Sequence, residues 1–142
     1  MTAAYQTPET RHFYGLMPES ISHEGYSARP AFSYWDNLWA LRGFKDAAFI
    51  ADVLGHDAEA QQFAALRDAF RADLVASINR AMAVHGIDFI PGAADLGDFD
   101  ATSTTMAFDP VEEQENLPTA ALERTFERYW ENFVARRDGQ LE

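Results

Sequence analysis

Residues 33–55 read SYWDNLWALRGFKDAAFIADVLG, and residues 56–84 continue as HDAEAQQFAALRDAFRADLVASINRAMAV. In the first segment Tyr34, Trp35, Leu38, Leu41, Phe44, Ala48, Ala51 and Leu54 recur at the three- and four-residue spacing of a helix. Trp39, Phe49, Ile50 and Val53 widen that stripe until little polar face remains. This predicts a helix over 33–54 that must be covered on most sides. The second segment differs. Phe63, Leu66, Phe70, Leu74, Ile78 and Met82 make one narrow stripe flanked by Gln61, Arg67, Asp68, Arg71 and Asp73, so a one-sided helix is expected over 58–84. Gly55 is placed to end the first helix and Asp57 to cap the second. An inner helix followed closely by an outer one is a helical hairpin.

Upstream, Thr7-Pro8 predicts the start of a short helix, stopped by Gly15 and Pro18, with an ordered loop over 15–32. Downstream, 86–116 reads as a long ordered loop. Within it, Ile87 to Ile90 predicts a short strand and Thr102 to Phe108 one or two helical turns, broken by Asp109-Pro110. Glu112, Glu113 and Glu115 read as a solvated acidic loop. A last helix is expected over 118–137, with Leu122, Phe126, Tyr129, Trp130 and Phe133 as its core stripe and Gly139 as its stop. The fold class is all-α.

The 142 residues suit one domain of ordinary size, and an apolar fraction of 47% is enough for a core. With 23 acidic against 11 basic residues the net charge is −12, and Lys45 is the lone lysine. Phosphate backbones and anionic membranes require clustered cations, so neither is an expected partner. There is no cysteine, which excludes disulfides and thiolate metal sites but leaves the compartment open. No apolar run is long enough to span a bilayer. The ends read as cut from a longer protein: the domain is expected over 1–140, and Leu141-Glu142 as the junction to an expression tag.

Tyr34, Trp35 and Trp39 put much aromatic surface around one carboxylate, Asp36. Aromatic faces cover the apolar faces of a sugar ring, and a carboxylate binds hydroxyls or moves a proton. Asp36 has a second reading, because Ser33-x-x-Asp36 has the spacing of a capping box. Glu24, in Ser22-His23-Glu24-Gly25-Tyr26, is a loop carboxylate with a hydrogen-bonding neighbour and an aromatic, Tyr26, close by. Asp95, Asp98 and Asp100 lie in one polar stretch and read either as loop and helix caps or as contacts to substrate hydroxyls. They do not follow the calcium-loop pattern, since Ser103 stands where its glycine would. His12, His23, His56 and His85 are scattered, so no metal site and no cofactor are expected.

Three motifs, YGLMPESISHEGY (14–26), SYWDNLWALRG (33–43) and PGAADLGDFDATSTT (91–105), resemble bacterial six-hairpin glycosidase-like proteins. Those are distantly similar to trehalases, glucoamylases and debranching enzymes. The resemblance implies helical hairpins forming part of an (α/α)6 toroid, of which this chain has room for about two and a half. It implies a fragment of a glycoside hydrolase catalytic domain with carbohydrate as partner. Asp36 would take the general-acid position of a Trp-Asp pair, with Glu24 as a second candidate catalytic residue. Tyr34, Trp35, Trp39, Tyr26, Asp95, Asp98 and Asp100 would line the sugar pocket. Asn37-Leu38-Trp39 departs from the family's pattern after that pair. Hydrolysis needs two carboxylates on opposite sides of the scissile bond. The partner carboxylate is expected outside this chain, so the chain alone should be inactive. The rival reading is a non-enzymatic, α-solenoid-like module that binds protein. On the fragment reading, the wide apolar helix over 33–54 predicts self-association of the isolated chain through Phe49, Ile50 or Val53.

Overall fold

The computed structural model describes residues 5–22 and 28–140. Four α-helices account for most of them: α1 (Tyr34–Val53), α2 (Asp57–His85), α3 (Ala101–Thr105) and α4 (Thr119–Arg137). Among the described residues there is no strand, only isolated bridges at Ser20–Ala31 and Ser33–Ala93. The protein is all-α. The expected strand at 87–90 does not form. The amide of Ile90 instead donates to the Thr125 hydroxyl of α4 at 3.0 Å, so a side chain satisfies it where a neighbouring strand would have. The short helix expected after Thr7-Pro8 is a run of turns ending in a 3₁₀ turn at Arg11–Phe13.

α1 and α2 form the expected hairpin. Gly55 adopts φ +73, a conformation that costs most residues a clash at Cβ. The His56 amide then reaches back to the Ala51 carbonyl at 2.9 Å. The cap of α2 differs from expectation, because His56 is the N-cap and Asp57 is already helical. There Asp57 and Glu59 lie in the first turn, where the helix dipole favours acids. The other end of α2 stops at Gly86, also left-handed, with φ +64.

The core forms around the proximal half of this hairpin. Tyr34, Leu38 and Leu41 of α1 meet Phe70, Leu74 and Ile78 of α2, and Ile90, Met106, Val111, Leu117 and Leu122 close the other side. The distal half of the hairpin extends beyond this body. Phe49, Ile50, Val53 and Leu54 are therefore 54–68% exposed, although their helix is apolar nearly all round. α4 repeats the pattern. Leu122 is buried and Phe126 packs on the core, but Tyr129, Trp130 and Phe133 are about half exposed. These last three are not the core residues that their spacing predicted; the helix outruns the body that would cover them.

Residues 109–116 wrap across α1 and α2 and correct a second expectation. Glu113 is not solvated: its side chain is 2% exposed. Arg71 of α2 grips it with both forks, Nε to Oε2 at 2.6 Å and Nη2 to Oε1 at 2.7 Å. Lys45 of α1 lies 3.1 Å from Oε1, and the Asn116 amide donates to Oε2 at 2.9 Å. Burial pushes the Glu113 carboxyl up, but the hydrogen bonds from Arg71 and Lys45 outweigh it and hold it below its ordinary value. Lys45 also donates to the Val111 carbonyl at 2.6 Å, and Arg42 to the Pro110 carbonyl at 2.6 Å. The two cations of α1 are thus the fastenings of this segment. Glu112 remains exposed, as expected.

Candidate functional site

Asp36 sits in the first turn of α1, but the capping box with Ser33 does not form. Ser33 is the N-cap without a side-chain cap bond, and its hydroxyl is buried with no partner. Asp36 instead accepts from two hydroxyls of the preceding loop, Ser20 at 2.5 Å and Ser22 at 2.6 Å, one to each carboxylate oxygen. Ser20 is itself fixed by paired backbone bonds with Ala31, each 3.0 Å. Asn37 secures the same corner: its Oδ1 accepts from the Met17 amide at 2.8 Å and its Nδ2 donates to the Ser33 carbonyl at 2.6 Å. Residues 17–22 are therefore folded onto the start of α1 and anchored at Asp36 and Asn37.

The aromatic residues around Asp36 divide. Trp39, one turn further along, is 45% exposed. Trp35 is half-buried and packs against the core. Tyr34 is 1% exposed and its hydroxyl bonds the Ser77 hydroxyl at 2.9 Å. Burial pushes the Tyr34 phenol well above its ordinary value. Its ring is part of the hydrophobic core. Glu24 and Tyr26 lie outside the described residues.

The three aspartates of 91–100 hold their own loop. Asp95 accepts from the Phe32 amide at 3.0 Å and faces the Arg29 guanidinium at 3.7 Å. Asp98 accepts from the Ala93 amide at 3.0 Å. Asp100 is the expected cap of α3, taking the amides of Thr102 at 3.0 Å and Ser103 at 3.3 Å on Oδ1, and the Ser103 hydroxyl at 2.6 Å on Oδ2. Asp95 ties the loop to Phe32 just before α1, whose Tyr34 amide donates to the Gly92 carbonyl at 2.9 Å, while the Asp98 bond to Ala93 lies within the loop. Asp100 thus caps α3, and Asp95 and Asp98 accept from backbone amides of the neighbouring segments.

His85 closes the loop from below. Its Nε2 lies 2.9 Å from the Ala94 carbonyl, and a Cβ added to Gly97 would meet its ring at 2.3 Å. The His12 ring crosses it at 6.3 Å; burial, then the neighbouring His85, hold His12 below its ordinary pKa. Among the described residues no three His, Asp or Glu side chains converge on a point that would hold a metal ion. No helix described is long and apolar enough to cross a membrane.

A second surface was not foreseen from sequence. The outward face of α4 presents Tyr129, Asn132, Phe133 and Arg136, which line a cleft of about 240 Å³ opposite Phe99, Asp100 and Thr102. The four α4 residues do share the i, i+3, i+4, i+7 spacing of one face, which was the available signal. Reading Tyr129 as core concealed it. Two other cavities are mainly apolar: about 430 Å³ beside Ile50, Leu54 and Phe63 at the hairpin end, and about 320 Å³ between Phe13, Met17, Phe44 and Phe70. Compared with family models, curated proteins and solved structures, the chain matches none.

Proposed function

We propose that this chain is part of a glycoside hydrolase-like α/α-toroid domain, and that the corner of Asp36 and Trp39 contributes to a carbohydrate-binding surface. One observation carries the reading. Asp36 is held by side-chain hydroxyls, Ser20 and Ser22, rather than by the backbone of its own helix, and stands one turn from a half-exposed tryptophan. A carboxylate fixed beside an open aromatic face suits a sugar, whose apolar face stacks while its hydroxyls are bonded. A purely structural helix start would bury the tryptophan and pair Asp36 with local amides. Glycoside cleavage needs a second carboxylate across the scissile bond, so the chain alone binds without hydrolysing.

The test is direct. Trehalose and maltotriose are titrated into the chain while tryptophan fluorescence and ¹⁵N–¹H shifts are followed. Saturable change centred on residues 35–39, lost in Trp39→Ala and weakened in Asp36→Asn with the thermal midpoint kept, is the expected result. No saturation up to about 50 mM, where even a very weak site fills, defeats the reading.

The alternative is a non-enzymatic helical module, and a specific observation favours it. Phe49, Ile50, Val53 and Leu54 expose a continuous apolar flank at the hairpin end, as a repeat does before its neighbour stacks on it. On that reading sugars do nothing and the flank does the binding.

A further inference from the structure

We propose that His12 is the latch of an acid-triggered strap: taking up a proton there releases residues 7–16 from α2, while residues 17–22 stay anchored at Asp36 and Asn37. The inference does not rest on the carbohydrate reading. The 3₁₀ turn Arg11–Phe13 carries His12 inward, and the residue is 5% exposed. Its Nδ1 is shut off from solvent and has no hydrogen-bond partner among the described residues. The ring centroid lies 3.9 Å from that of Phe13, and Phe13 stacks on Phe32 at 4.4 Å. The backbone is tied down at the same residue. The Ser77 hydroxyl of α2 donates to the His12 carbonyl and is also bonded to the Tyr34 hydroxyl of α1. Gly15, with φ +82, lies so close to α2 that a Cβ there would overlap the Asp73 side chain.

This site suits a neutral imidazole. A charged ring carries a proton on both nitrogens, so Nδ1–H would be a buried donor with no acceptor. The groups around it do not offset that cost. From α2, the His85 ring crosses His12 at 6.3 Å. A carbonyl only accepts, so the His85 Nε2 donates its proton to Ala94 and is no acceptor for His12. From the loop 91–98, Asp95 favours a charged His12, but its carboxylate already takes the Phe32 amide and faces Arg29. From α1, Tyr34 is a phenol kept neutral by burial. Asp73 of α2 lies against Gly15, and Arg11 of the turn sits over the Tyr14 ring. Burial, then His85, hold His12 below its ordinary value of 6.5. The unfolded or released segment therefore binds a proton more readily than the docked one. Docking is fully favoured above 6.5 and weakens as pH falls through that value toward the depressed one. The segment also walls the apolar cavity of about 320 Å³ between Phe13, Met17, Phe44 and Phe70, so its release opens that cavity.

The test is amide exchange on the full chain between about pH 7.5 and about pH 5, each rate divided by the intrinsic rate at that pH. This interval stays above the ordinary 4.5 of Glu113, so the loop 109–116 remains locked. The amides of Phe13, Tyr14 and Leu16, bonded within the turns of the segment, report its release. Their protection is expected to fall by up to about tenfold per pH unit below 6.5, the limit for one proton. Leu74 and Ile78, in the interior of α2, should keep theirs. His12→Phe keeps a buried ring that takes no proton, and His12→Gln serves as a second neutral variant. In either, protection at Phe13 and Tyr14 should no longer depend on pH. Constant protection in the wild type, an equal loss at Leu74 and Ile78, or the same pH dependence in both variants would each overturn the latch.

Discussion

Glu113→Gln is the substitution that most sharply tests how the loop 109–116 is held. The change keeps shape and some hydrogen bonding but removes the charge on which Arg71 and Lys45 converge. Breaking a fully buried ion pair on one side costs about 3–5 kcal/mol. Here the anion is 2% exposed while Arg71 and Lys45 are 24% and 22% exposed, so water recovers part of the loss for the cations. A cost of about 2–3 kcal/mol follows. With an m-value of about 2 kcal/mol/M, the urea midpoint should fall by about 1–1.5 M at unchanged slope. Arg71→Met leaves the anion buried with less compensation and should cost at least as much. The double variant should cost clearly less than the sum, by about 1.5 kcal/mol or more. The pH dependence has a definite sign. Glu113 is held below its ordinary value of 4.5, so its contribution is present above that pH and is lost as pH falls through the depressed folded value. The gap between wild type and Glu113→Gln should therefore be full at pH 7 and shrink as pH falls below 4.5 toward the depressed folded value. A single-variant loss under about 0.5 kcal/mol, or strict additivity in the cycle, would refute the view that this carboxylate locks the loop.

Asp100→Ala removes three acceptor contacts at the start of α3 and should cost about 0.5–2 kcal/mol by thermal melting, whereas Asp100→Asn should recover most of it. The exposed flank of α1 should drive self-association: light scattering is expected to give a dimer or larger species that persists at low salt. Replacing Phe49 and Val53 by Glu should return a monomer with the same helix content. A wild-type monomer at high concentration would instead mean that the flank finds no second copy.

The hairpin was legible because its signals are local. Apolar spacing defined α1 and α2, and Gly55 marked the turn between them. Asp100 was recognisable as a cap because its partners lie within three residues. The Glu113 cluster was not legible: Lys45, Arg71 and Glu113 come from three separated segments, and in sequence Glu113 is one acid in a run. The only hint was Lys45 itself, a lone lysine on an apolar helix whose charge needs a partner once covered. Asp36 failed as a capping residue for a related reason, since Ser20 and Ser22 approach from a loop whose course no periodicity encodes. The aromatic ends of α1 and α4 mark the deeper limit. Spacing reports which face of a helix is apolar, but not whether this chain supplies the cover. Phe49, Val53, Trp130 and Phe133 obey the same rule of spacing as Leu41 and Leu74, and differ in being left 49–68% exposed. Apolar surface of this kind is worth about 25 cal/mol per Å² once removed from water. These helix ends therefore carry the driving force for whatever completes the surface, further hairpins or a second copy.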